Sequence, residues 1–495
     1  MKIGFLITLL SVSSLLIMNT TLPLMSGLYI VSDLGGSQFT GTYPVTFFAI
    51  ANALGIPLGK YLVDKIGAKK SLLYCLVLFA FVSWFCALSL NFPIFVVLRF
   101  IQGLVCGPFY YQISRLLPKS VGITSALLTI AIVSPVVGVS IGGIVAYEYN
   151  WRYLFYFDAF IALILAFILS FMKSEENNPK VPFDGFGYIC LFIAVTAIGT
   201  VLTAGQELDW FRSQLVIALL IIGFISLIFV VFRFFSHPFP IINFRMLTRP
   251  LFVFALLSLS LLFSAYFGMV ILLVFWLALY VNFTPLWIAL LIGTMAIAGI
   301  LPNYLIQEKI GCDRRIPLLL AIAILVVSCF HTTIFNVDVN FERIAFSRIL
   351  AGFGLALFLP PLFQISFESF SSKRAVQVLE WFQMTRALAC GFGASLYIIL
   401  WQRRTVFYHE RLGSALTDFS QQTADFFSKA FLVGLKGLSA DAQLEDYLTR
   451  QSIALALDDC FYLMGWLLVG LFVVTLFTFF SRNKVLSSKK KVFNL

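Results

Sequence analysis

The chain has 495 residues, of which 60% are hydrophobic and 12% charged, with a mean hydropathy of +0.97. Ordinary globular chains carry roughly 25% charged residues, so the composition excludes a soluble multidomain protein and points to a polytopic, all-α membrane protein. The net charge of +11 does not call for nucleic acid, because the basic residues gather between the apolar runs, where anionic lipid headgroups account for them.

In chain order, Met1-Lys2 and the apolar run behind them imitate a signal peptide. No Ala-x-Ala-like site follows before LIMNTTLPLM, so the run is kept as the first span. Breaks at Gly, Pro and charge clusters define fourteen runs, at about 3–25, 40–60, 71–90, 92–115, 122–146, 151–172, 186–205, 213–233, 251–279, 284–306, 316–335, 343–367, 375–401 and 457–480. Each is long enough to cross roughly 30 Å of hydrocarbon as helix, whereas a barrel needs alternating strands of about ten residues. Lys and Arg alternate between loops: one set holds Lys60, Lys65, Lys69, Lys70, Arg115, Lys119, Lys173, Lys180, Arg233, Arg245, Arg249, Lys309, Arg314, Arg315, Lys373 and Arg374, while the opposite short loops hold little beyond Arg152, Arg212 and Arg343. The positive-inside rule then places both termini in the cytoplasm, with residues 402–456 as a long external loop.

Two halves share a pattern. GKYLVDKIGAKK from Gly59 lines up with NYLIQEKIGCDR from Asn303, setting Asp64 over Glu308, and RFIQG from Arg99 lines up with RILAG from Arg348 at nearly the same offset. The expected organisation is a six-span bundle over 1–172, an inserted two-span hairpin with its flanking loops over 173–250, a second six-span bundle over 251–480 and a basic tail over 481–495. Duplicated bundles facing each other across a midplane cavity are an architecture of secondary transporters.

Ionisable residues within spans are costly and mark candidate functional positions. Here they are Arg99, Arg348, Arg386, Asp158 and Glu380. Arg99 lies about 10 Å into span 4 at 1.5 Å per residue, and with Gln102 it is expected to present donors to the cavity, while Gly103 and Gly107 allow close helix approach. Glu380, Gln383 and Arg386 step by three along span 13, so Gln383 is expected to bridge the other two. Asp64, Lys65, Gly67, Lys69 and Lys70, with Gly59, suit a gate at helix ends. Pro135, Gly138, Gly142 and Gly143 give span 5 a kink and a stripe of small residues for packing.

Other chemistry lacks its parts. The eight cysteines form no CxxC pair and read as small buried hydrophobes, and His237, His331 and His409 are too scattered for a metal site. No nucleophile and base pair or phosphate-binding loop marks an enzyme.

GKYLVDKIGAKK resembles the span 2 to 3 signature of the major facilitator superfamily, and LRFIQGLVCG its span 4 signature. SPVVGVSIGGIVAYEYNWRYLFYFDAF, GQELDWFRS, HPFPIINFRML and RALACGFGAS resemble the 14-span drug:proton antiporters of the EmrB/QacA type. The resemblance implies proton-driven export of hydrophobic compounds from the inner membrane of a bacterium. It implies no cofactor beyond the proton gradient, and in double-membraned cells an adaptor protein and outer-membrane channel as partners. Two positions depart from the pattern: Ser14 stands where the family carries an acid in span 1, and Val139 where a proline follows Gly138 in span 5. With Ser14 unable to carry a proton, Glu380 becomes the expected coupling carboxylate, and Asp158, on a span expected to be peripheral, the second choice. Transport of a lipid, siderophore or nutrient, or a non-transporting sensor on an inherited fold, are the competing readings.

Overall fold

The computed structural model describes residues 3–117, 121–172, 182–308, 315–336, 339–371, 374–416 and 421–492, and among these every regular element is a helix. In chain order they are α1 (Ile3–Asn19), α2 (Pro23–Leu34), α3 (Tyr43–Gly55), α4 (Leu58–Ile66), α5 (Ala68–Ala87), α6 (Phe92–Cys106), α7 (Phe109–Leu116), α8 (Val121–Glu148) and α9 (Arg152–Ser170) in the first bundle. The inserted hairpin is α10 (Gly185–Ala204) and α11 (Gln214–Ser236), and the second bundle is α12 (Pro250–Leu279), α13 (Pro285–Glu308), α14 (Arg315–Thr332), α15 (Phe341–Glu368), α16 (Ala375–Ala415), α17 (Gln421–Leu432) and α18 (Leu438–Val492).

Among the described residues, eleven helices are long and apolar enough to cross a membrane, or up to thirteen if each bent pair is one span. The expected tenth span coincides with α13, whose apolar stretch with described side chains is Pro285–Ile300. The bent pairs are α1 with α2, at 50°, and α3 with α4, at 52°. Proline causes both breaks, since it cannot donate to the carbonyl four residues back. Pro23 therefore releases the carbonyl of Asn19, Pro57 that of Ala53, and, between α6 and α7, Pro108 that of Leu104.

The halves pack by one scheme. In the first, α1 packs on α8, α3 on α6 and α5 on α9; in the second, α12 packs on α16, α13 on α15 and α14 on α18. The same glycines make the equivalent contacts: a Cβ on Gly103 would lie 2.2 Å from the carbonyl oxygen of Phe48, and one on Gly352 would lie 2.2 Å from that of Met295. The bundles meet through α3 against α16 and α8 against α13, and α10 of the hairpin rests on α3 and α16. Seven of the eight cysteines are buried and unbonded within helices; Cys312 lies outside the described residues.

Residues 402–456 differ from the expected loop. α16 runs on to Ala415, α17 intervenes, and α18 begins at Leu438. A hydropathy window ends a span where charges begin, but this stretch is rich in helix formers and carries pairs such as Arg450 with Asp446 at 2.9 Å, one turn apart, which support a solvated helix. The basic tail likewise continues α18 through Val492.

Candidate functional site

Arg99 is fully buried, and its donors turn inward. Nη2 donates to the backbone oxygen of Asn19 at 2.9 Å, the carbonyl that Pro23 leaves without a helical partner. Nη1 donates to the side-chain oxygens of Asn19 and Gln102, and Nε reaches the carbonyl of Pro44 at 3.4 Å. The Asn19 amide then donates to Asp158, and Gln102 donates to Ser83 Oγ at 2.6 Å. The guanidinium lies over the Phe48 ring, 4.4 Å from its centroid. One cation and one carboxylate thus balance inside the first bundle with asparagine between them, which is the condition for a tolerable buried charge. Two expectations change. Arg99 and Gln102 do not offer donors to an open cavity, and Asp158 is buried in the bundle at 2% exposure. Asn19 is the residue that sequence reasoning missed as a bridge; the clue was Pro23 four residues on.

Arg348, the counterpart in α15, is also fully buried but sparsely bonded. Nη2 donates to Thr332 Oγ1 at 3.0 Å and Ser347 Oγ at 2.9 Å, while Nε and Nη1 have no hydrogen-bond partner among the described residues.

The third polar group lies between the bundles. Glu380 on α16 pairs with Lys60 of α4 at 3.4 Å, beside a crevice of about 20 Å³ lined by residues including Pro240, Asn243, Gln377 and Trp381. That is room for a water molecule or two. Glu380 Oε1 is buried with no partner among the described residues. Further along α16, Arg386 takes Gln383 Oε1 at 2.9 Å and donates to Tyr110 Oη at 3.0 Å. Gln383 therefore serves Arg386 alone, because Lys60 draws Glu380 across the interface. Nearer the other end, Thr46 Oγ1 meets Ser395 Oγ at 2.7 Å and donates to the Gly391 carbonyl at 3.1 Å. On the second interface Ser140 Oγ donates to the Ala289 carbonyl at 3.4 Å.

The motif after span 2 is held by backbone geometry. Gly67 has φ +85°, a left-handed conformation that ends α4, and a Cβ on Gly59 would stand 2.9 Å from both the Pro108 oxygen and the Tyr111 Cβ. Lys65 covers the Tyr61 ring at 4.7 Å, and Lys69 donates to the Ser170 carbonyl at 3.0 Å. Asp64 Oδ1 is buried with no partner among the described residues, and Lys70 is exposed. Glu308 has no described side chain, and Lys309 lies outside the described residues. In α8, Cβ atoms on Gly138 and Gly142 would fall 2.4 Å and 2.2 Å from the carbonyl oxygens of Met18 and Leu22, so this stripe receives the bend of the first span. Thr21 secures it by donating to the Pro135 carbonyl at 2.7 Å. A Cβ on Gly143 would stand 2.1 Å from the Met25 sulfur, and Ser14, at the family's acidic position, bonds Ser134 at 2.9 Å.

The sequence profile described as Major Facilitator Superfamily matches residues 7–394. The chain belongs to this superfamily. Multidrug export protein EmrB of Escherichia coli K12 is 26% identical over 482 residues, covering 95% of this chain and 92% of the relative. Fatty acid resistance protein FarB of Neisseria gonorrhoeae is 26% identical over 462 residues, covering 90% of each. Among solved structures, a bacterial homologue of the human lysosomal transporter Spinster, inward-facing and unoccupied, superposes with a TM-score of 0.62 at 12% identity, over 97% of this chain and 98% of that one. The xylose transporter XylE of E. coli gives 0.51 at 15% identity, over 80% and 92%. This major facilitator protein is a multi-pass membrane transporter, and its paired helical bundles are the fold those structures share.

Proposed function

We propose that this transporter exports amphipathic small molecules across the cytoplasmic membrane of a bacterium by alternating access, driven by protons, with both termini in the cytoplasm. The observation that carries the reading is the kind of contact between the bundles. Among the described residues the polar joints between α16 and the first bundle are few: Lys60 of α4 with Glu380, Tyr110 of α7 with Arg386, and Thr46 of α3 with Ser395 and the Gly391 carbonyl. Polar contacts of this kind are worth about 1 kcal/mol each, so they do not lock the halves together, and parting the bundles separates them along with the apolar packing that runs from Ile132 and Val136 into the second bundle. Support for export comes from the names of the relatives, one a multidrug export protein and another a fatty acid resistance protein. An adaptor protein and an outer-membrane channel complete the path in a double-membraned cell.

For coupling, the reading assigns the proton to Glu380. Its carboxylate has one oxygen paired with Lys60, the other without a partner among the described residues, and a small crevice beside it. Protonation would release Lys60 and loosen the seam, tying a proton to a conformational step. The test is ethidium-dependent proton movement in proteoliposomes, followed with a trapped pH-sensitive dye. Wild-type protein should move protons against ethidium, and Glu380→Gln should abolish that flux while still binding ethidium. Unchanged flux in Glu380→Gln, with loss in Asp158→Asn, would transfer the role to Asp158. No ethidium-dependent flux in wild-type protein would reject drug:proton antiport.

A further inference from the structure

Two sequence motifs flank α11: GQELDW precedes it and HPFPIINF follows it. The fold sets them at opposite ends of the seam between α3 and α16. Between them α10 rests on both helices: Tyr188 Oη donates to the Leu54 carbonyl at 3.1 Å, and Ile50 and Leu54 of α3, Leu191 of α10 and Met384 of α16 share one apolar cluster with Ile241 and Ile242. At the Lys60–Glu380 end, Asn243 Nδ2 donates to Gln377 Oε1 at 3.5 Å, and the Phe244 and Trp381 rings meet with centroids 6.0 Å apart.

At the Thr46–Ser395 end, the turn 205–212 touches both halves of the molecule. Ser37, in the connection from α2 to α3, donates through Oγ to Glu207 Oε1 at 3.3 Å. Arg403, on α16, donates through Nε to Gln206 Oε1 at 2.8 Å and lies over the Trp210 ring, 5.4 Å from its centroid. The turn is strained to make these contacts. Asp209 and Trp210 have φ of +56° and +49°, a left-handed conformation that is costly for residues with a Cβ and most of all for a bulky one. The Trp210 backbone N–H closes the turn on the Gly205 carbonyl at 2.8 Å, and a Cβ on Gly205 would stand 3.0 Å from the indole, so only glycine admits the ring there. The indole Nε1 then donates to Gln206 Oε1 at 3.0 Å. One amide oxygen thus accepts from both the indole and the guanidinium, which aims Gln206 at the second bundle while its neighbour Glu207 holds the first.

We propose that the inserted hairpin is a clasp on the α3–α16 seam, and that its 205–212 turn holds the Thr46–Ser395 end shut by gripping Arg403 on one bundle and Ser37 on the other. This rests on the alternating-access reading, in which the bundles move as rigid bodies and that end of the seam opens outward. The turn cannot follow both bundles, so one of its two grips breaks each time this end opens and re-forms when it closes. A strap tied at two points is undone by releasing either. Loss of one grip therefore raises the share of outward-open protein, and loss of the second adds nothing.

The test uses right-side-out membrane vesicles holding the full chain with Ser395→Cys, a position that is 2% exposed when the seam is shut. A membrane-impermeant maleimide reads its opening. Gln206→Ala, Arg403→Ala and Glu207→Ala should each speed labelling of that cysteine roughly three- to fivefold, as expected when one partly exposed, charge-assisted contact is lost. Gln206→Glu, which can pair with Arg403, should label no faster than the parent. The Gln206→Ala, Glu207→Ala double variant should label at the rate of the faster single one. Native Cys86, buried inside the first bundle, should stay unlabelled throughout. Unchanged rates in the single variants, or effects that multiply in the double, would overturn the clasp and leave alternating access standing. Labelling at Cys86 in step with Ser395→Cys would show a loosened bundle instead of an opened seam and overturn it too. No labelling of Ser395→Cys in any of these proteins would remove both the clasp and the alternating-access reading.

Discussion

Replacing Asp158 by leucine removes the carboxylate at the end of the Arg99–Asn19–Asp158 chain and leaves a fully buried guanidinium without its counter-charge. Removing one partner of a buried ion pair costs about 3–5 kcal/mol. Asn19 stands between the charges and still accepts from Arg99, so the lower end, about 3 kcal/mol, is expected. The double variant Arg99→Met with Asp158→Leu takes away both charges, and should recover about 2 kcal/mol relative to the sum of the single losses. The assay is thermal unfolding of each purified variant in one detergent, with the parent alongside. Asp158→Leu should show the larger drop in midpoint, and the double variant should lie above the additive position. An Asp158→Leu protein as stable as the parent, or strictly additive losses, would refute the claim that this carboxylate neutralises Arg99.

The equivalent close approaches at Gly103 and Gly352 predict equivalent failures: Gly103→Val and Gly352→Val each drive a side chain into a backbone carbonyl 2.2 Å from Cβ, and both should abolish the monodisperse peak in fluorescence-detected size exclusion. Oxidising a Thr46→Cys, Ser395→Cys double variant, whose parent hydroxyls meet at 2.7 Å, should arrest ethidium efflux, and reducing the disulfide should restore it; efflux that ignores oxidation would show that this seam stays shut throughout the cycle. Asp64→Asn should express normally yet slow transport, because removing one charge near the surface costs little stability while unbalancing a latch; unchanged transport rates would make the motif an anchor only. Reporter fusions at Lys489 and near Asp441 should read opposite sides of the membrane, and a common side would overturn the span assignment.

Fold class and internal duplication were legible in the sequence because both follow from one-dimensional signals: apolar runs of membrane length, and GKYLVDKIGAKK against NYLIQEKIGCDR with RFIQG against RILAG. The glycines that matter were visible for the same reason, since Gly103, Gly138 and Gly142 recur at helical spacing whatever they touch. Helical character in 402–456 was not, because hydropathy reports burial in lipid and this charged stretch holds the end of α16, α17 and the start of α18. The use made of each charge was decided only by tertiary structure. Arg99 and Arg348 head similar five-residue patterns, yet beyond its own helix one is met by Asn19, which leads on to Asp158, and the other by the hydroxyl of Thr332, because these partners come from other helices. Glu380 and Gln383 are neighbours on one helix face, but Lys60, 320 positions distant, is the stronger attraction for a carboxylate. Local spacing fixes which side chains share a face; the charge that neutralises a buried group depends on which helix the fold sets opposite it.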